Sequence, residues 1–150
     1  MSKTTKQIIG WLIGLGILGW IIYWAMTAPR IPATEYEATN GLHYHPHLMI
    51  SANGEQMTLP ANIGLIGGHN PMHTHDADNV IHLEFTGRVK KDDLRLGKFF
   101  DLWGKEWTEG SFMGMPMGGH MLTMKVNGAT STEYRQLLMQ DKQEIELIYR

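Results

Sequence analysis

From Ile8 to Met26 the chain runs IIGWLIGLGILGWIIYWAM, with no charged side chain. As a helix rising ~1.5 Å per residue, such a run covers roughly 28 Å, the hydrocarbon thickness of a bilayer. Trp11 lies near one end and Tyr23 and Trp24 near the other, where aromatic rings favour the membrane interfaces. Lys3 and Lys6 precede the run and Arg30 alone follows it closely. The positive-inside rule therefore places the N-terminus in the cytoplasm and the rest of the chain outside it. A cleaved signal peptide would have an apolar core of about 7–15 residues followed by small residues. This core is longer, and the best cleavage candidate, Met26-Thr27-Ala28, opens with a bulky side chain. The run thus reads as a single-pass anchor in the cytoplasmic membrane. Gly10 and Gly14 form a GxxxG, with Gly16 and Gly19 beyond. That is either a packing face for a second copy or a partner membrane protein, or the ordinary abundance of glycine in membrane helices.

The expected organisation is a cytoplasmic tip and anchor over 1–27, a proline-bearing linker over 28–40, and a metal-binding domain over 41–150. The last is long enough to bury a core without disulfides or structural metal. The chain has no cysteine, which excludes disulfide frameworks, thiolate zinc sites and cysteine nucleophiles. Two of its 13 basic residues belong to the N-terminal tip, and 15 residues are acidic. That balance argues against nucleic acid as a partner. Phosphate-binding loops, dinucleotide fingerprints and Ser-His-Asp signatures are also lacking.

Past the linker, Leu42 to Ser51 alternates as a strand, with Pro46 marking an edge or bulge. Asn53-Gly54 signals a hairpin turn and Glu55 to Leu59 the return strand. Ile63 to Pro71 reads as a glycine-rich loop and Val80 to Thr86 as a strand. Asp92-Asp93 can cap a helix over Leu94 to Trp103, which Gly104 can end. Gly110 to Gly119 reads as a flexible loop. Met121 to Val126 reads as a strand followed by an Asn127-Gly128 turn, and Gln143 to Tyr149 as a terminal strand. This order predicts an α+β fold, a small mixed β domain, with a β-sandwich as the alternative. The tail, KVNG…LLMQDKQEIELIY, resembles the end of β-grasp domains. Leu48, Ile50, Ile81, Leu83, Phe99, Phe100, Val126, Ile145 and Leu147 are the expected core.

The chemistry lies in the histidines, of which the chain has 8. His43, His45 and His47 occur in HYHPHL, His73 and His75 in MHTHD, and His82 with Glu84 in IHLE. Alternate strand residues share a face, so each segment offers ligands about 6–7 Å apart. Imidazole suits copper, zinc, iron and nickel, and a carboxylate can complete a site or orient a ring. Asp76 and Asp78 stand beside the second pair, and His69 lies in the intervening loop. A single HxH is commonly a pair of ordinary solvent-facing polar side chains. Three such pairs within 42 residues, with no Lys or Arg among them, point to a metal. His43, His45, His73 and His75 are expected to form the main site, with His47 and His82 as further ligands or supporting groups. The sequence HxHPHLxI, LPANIGL, HTHD and IHLE resembles a group of membrane-tethered bacterial and archaeal proteins. That resemblance supports the motif and implies no activity.

Met113, Met115, Met117 and Met121 surround His120 in MGMPMGGHMLTM. Thioether sulfur is a soft ligand that selects Cu(I). The stretch resembles the Met-rich loops of periplasmic copper carriers. The alternatives are core packing, above all for Met124, or an adaptable contact with a partner. Three functions remain open at this stage. The first is extracytoplasmic copper binding, delivery or sensing, with zinc as the other metal. The second is a metal-dependent hydrolase or oxidase with an open coordination position. The third is an accessory subunit of a membrane complex.

Overall fold

A computed structural model of the chain describes residues 2–150. It divides into two units, 1–32 and 33–150. In the first, helix α1 covers Lys3–Thr27, with the Ser2 side chain accepting the Thr5 N–H at its start. The helix is long and apolar enough, by length and composition, to span a membrane. Pro29 follows the C-cap Ala28 and keeps the helix from continuing.

The second unit begins inside the stretch read as linker. Tyr36–Ala38 is strand β1, and Gly41 then turns the chain at φ 79°. A Cβ on Gly41 would sit 2.7 Å from the Phe85 carbonyl oxygen, so glycine is required there. The expected 42–51 strand is two strands, β2 (Leu42–Tyr44) and β3 (His47–Ala52), which join different sheets. Pro46 lies between them and cannot donate a ladder hydrogen bond. Asn53 and Gly54 take φ 53° and 89° and turn β3 into β4 (Glu55–Met57), the left-handed pair a tight hairpin demands.

Next come β5 (Met72–His73), β6 (His82–Phe85) and β7 (Val89–Lys90), the last pairing with β1. The expected 94–103 helix is a 3₁₀ turn at Lys91–Leu94 followed by α2 (Leu96–Trp103). Asp92 and Asp93 do not cap α2. Asp92 instead takes Lys98 Nζ at 2.7 Å and Arg95 Nε at 3.2 Å. Gly104 ends α2 in the left-handed conformation, as expected. The 110–119 stretch is a hairpin rather than a flexible loop: β8 (Ser111–Phe112) and β9 (Met115–Pro116), turned at Met113 and Gly114. β10 (Leu122–Val126), β11 (Ala129–Ser131) and β12 (Glu144–Tyr149) complete the chain.

The large sheet has the order β11-β10-β12-β3-β4, with β12 parallel to β3 and its other pairs antiparallel. A first hairpin, a helix, and a last strand lying parallel to the first is the β-grasp arrangement that the tail resembles. The class is α+β. Alternation along β3 and β12 buries Leu48, Ile50, Ile145, Leu147 and Tyr149 on one face. From α2, Phe99 and Phe100 are fully buried, and Phe100 packs edge-to-face on Trp107 at 4.8 Å. Removing such a ring would cost about 3–5 kcal/mol. Of the expected core, Val126 alone is only partly buried. A second, three-stranded sheet, β2-β6-β5, carries the histidines.

Candidate metal centre

Register brings the ligands together. β6 is the central strand of the small sheet, with His43 of β2 opposite Glu84 and His73 of β5 opposite His82. Because His82 and Glu84 are two residues apart on β6, all four side chains share a face. His45 and His75 lie just beyond β2 and β5 and extend the same face over His82. The ring of His82 stands 4.9 Å from His45, 5.5 Å from His73 and 4.6 Å from His75. His82, expected at the margin, is the hub.

The loop before β5 sets the geometry. Thr74 is fully buried, and its hydroxyl donates to the Pro60 carbonyl and accepts the Ile63 N–H. The Asn62 N–H bonds the Thr74 carbonyl and the Thr74 N–H bonds the Ile63 carbonyl, so LPANIGL is laced to MHTHD. Gly64, at φ 77°, passes so close to Met72 that a Cβ would lie 2.5 Å from its carbonyl oxygen. The same loop delivers His69, whose ring is 4.6 Å from His73 and whose Nε2 is 4.0 Å from Glu84 Oε2. Sequence reasoning left His69 in a loop, since no periodicity aims a loop side chain. It also missed Asp141, which accepts the His45 N–H at 2.9 Å and lies 3.7 Å from His45 Nδ1.

His73 has the orientation of a metal ligand. It is fully buried, and its Nδ1 donates to the Asn70 carbonyl at 2.9 Å. That bond fixes the tautomer with Nε2 unprotonated, as in metal-bound imidazoles, and its lone pair accepts from His75 Nε2. His73 Nε2 and His75 Nε2 are 3.1 Å apart. Two nitrogens bound at ~2.0–2.1 Å to one ion stand about 2.9–3.4 Å apart in square-planar or tetrahedral geometry. One donor atom from each of His73, His75, His82 and Glu84 lies within 4.8 Å of every other, and His43, His45 and His82 form a second such group. No family model, curated protein or solved structure matches this chain. The site therefore has to be read from its own chemistry.

His82 Nδ1 is buried with no hydrogen-bond partner among the described residues, 3.8 Å from Glu84 Oε1. Such an orphan costs about 1–3 kcal/mol unless something binds it. Burial, followed by the neighbouring imidazoles of His75, His45 and His73, holds the His82 pKa below the ordinary histidine value. Burial likewise lowers that of His73, against the raising effect of its Asn70 bond. For Glu84, burial opposes the charge, but His43 at 3.1 Å and then His73, His82 and His75 outweigh it and hold its pKa below the usual carboxylate value. Neutral imidazoles beside an ionised carboxylate are the states a divalent cation needs.

The structure does not bring His47, Asp76 or Asp78 into this group. With Leu48 and Ile50 buried, His47 falls on the other, half-exposed face of β3. The chain changes sheets at Pro46, so the HxHxH spacing does not survive as one face. Asp78 accepts the Val80 N–H in a local turn, and Asp76 is exposed.

The methionine stretch lies elsewhere. Asp141 stands just before β12 beside His45, whereas Tyr149 at the far end of β12 donates its hydroxyl to the Pro116 carbonyl. Six strand residues separate the two by roughly 17 Å. Met113, Met115 and Met117 are half-buried and pack against the hydrophobic core, Met124 is fully buried, and Met121 is exposed. His120 stacks on Tyr149 at 4.9 Å. The three methionines of the hairpin thus pack against the core at the end of β12 away from the histidine cluster.

Proposed function

We propose that the chain is a membrane-anchored metal-binding protein, with α1 in the cytoplasmic membrane and the 33–150 unit outside it. Its histidine cluster binds copper for storage, delivery or sensing. The observation that carries the metal reading is the pair of the buried His73 and the half-buried His82. One has its tautomer fixed with an unprotonated Nε2 turned to His75, and the other has an orphaned Nδ1 facing Glu84. The preference for copper rests on the donor set. Imidazoles with one carboxylate and no thiolate suit Cu(II), which stands above zinc in the affinity order for such ligands.

The test is elemental analysis of full-length protein purified in detergent without a His-tag. Wild type should carry stoichiometric metal and H73A/H75A should not. H73N/H75N serves as a polar control should the alanine variant fail to fold. A folded double variant with full copper and zinc occupancy would eliminate the site.

A further inference from the structure

The cluster holds more donors than one ion can use. We propose that it is a two-ion centre. An inner ion sits among His73, His75, His82 and Glu84, and an outer, exchangeable ion on His43 and His45, with His82 and Glu84 at the seam. This rests on the metal-binding reading and extends it from one ion to two.

Geometry separates the donors into the two groups. With bonds of ~2.0–2.1 Å, two donors on one ion stand at most about 4.2 Å apart. The groups His73/His75/His82/Glu84 and His43/His45/His82 each fall within 4.8 Å, close to that limit, but do not merge into one. His82 belongs to both groups and so stands at the seam between them. Glu84 also faces two ways. Its Oε1 lies 3.1 Å from His43 Nε2 and 3.8 Å from His82 Nδ1, while its Oε2 lies 4.0 Å from His69 Nε2. A carboxylate so placed can bridge two ions about 3.5–4 Å apart. A single tetrahedral ion on the inner group would leave His43 and His45, gathered beside it, unused.

The two positions differ in exposure, and this assigns their roles. The inner group reaches from an exposed His75 down to His73, which is fully buried, and His82, whose side chain is 19 % exposed, whereas the outer pair has no buried member. The side chains of His43 and His45 are 62 % and 39 % exposed. An ion on the outer pair meets solvent directly, and the charge of the inner ion weakens it. The outer position is therefore where an ion enters or is handed on, and the inner one where it resides.

The test is equilibrium dialysis of the tag-free, full-length protein against Zn(II) and, separately, Cu(II), with metal-to-protein ratios read by mass spectrometry. Wild type should bind two equivalents of unequal affinity. H43A/H45A should bind one, with the tighter affinity retained. Two Cu(II) ions so close should also couple magnetically, so the paramagnetic signal of the fully loaded protein should fall below twice that of the singly loaded one. One equivalent in wild type, unchanged in H43A/H45A, would overturn the two-ion centre and leave metal binding intact. Two equivalents persisting in H43A/H45A would equally overturn it. No bound metal in wild type would overturn metal binding itself.

Discussion

Glu84 is the one carboxylate in the inner group, and replacing it by its isostere, E84Q, removes charge without removing volume. In the metal-free protein the change should cost little. The side chain is 34 % exposed, and ion pairs that water can reach contribute little. In the loaded protein it removes an anionic ligand, and disturbing even an outer partner of a metal ligand costs 10–100-fold in affinity. At a free metal concentration about 100 times the wild-type Kd, the ion should stabilise the fold by ~2.7 kcal/mol. A 10–100-fold weaker site retains roughly 1.4 to 0.4 kcal/mol of that by the same relation. At about 4 °C per kcal/mol for a domain of this size, the metal-induced rise in Tm should drop from roughly 11 °C to about 2–6 °C. Differential scanning fluorimetry of wild type and E84Q, with and without Cu(II) or Zn(II), reads this directly. An E84Q protein with the full wild-type shift would refute Glu84 as ligand. So would a metal-free E84Q protein destabilised as much as the loaded one.

His73 and His82 both have pKa values below the ordinary 6.5 in the fold. The unfolded chain therefore takes up their protons first as pH falls. Stability of the metal-free protein should be complete above about pH 6.5 and decline as pH drops toward the lowered values; urea midpoints at pH 7.5 and 5.5 check the sign, and a more stable protein at 5.5 would contradict it. Metal should leave over the same interval, because protonated imidazole cannot ligate. Replacing Met113, Met115 and Met117 together by Leu should preserve the fold and leave copper stoichiometry unchanged, since the swap conserves apolar volume. Loss of Cu(I) alone in that variant, by competition with a Cu(I) chelator, would restore the loop as a site. Protease added to intact spheroplasts should digest the 33–150 unit, and protection would reverse the orientation.

The ligands were legible where they lie on strands. His82 and Glu84 share a face of β6 as the i, i+2 rule requires, and HTHD delivers His73 and His75 to one place. The rule failed at His47 because Pro46 ends one strand and the next belongs to another sheet. It was silent on His69 and Asp141, which reach the cluster from loops whose side chains no periodicity aims. The Asn-Gly turns were readable because each needs left-handed backbone, and Asn53, Gly54, Asn127 and Gly128 all adopt it. The Met113-Gly114 turn uses the same backbone without that sequence signature. The hairpin around it therefore read as a flexible loop.

The surroundings of the metal itself are the most direct measure of whether the histidine cluster is the site. X-ray absorption at the copper edge of the loaded, tag-free protein should show a nitrogen and oxygen shell at about 2.0 Å, the outer-shell scattering of several imidazoles, and no sulfur. A shell dominated by sulfur at about 2.3 Å, or one without imidazole scattering, would place the ion away from His73, His75 and His82.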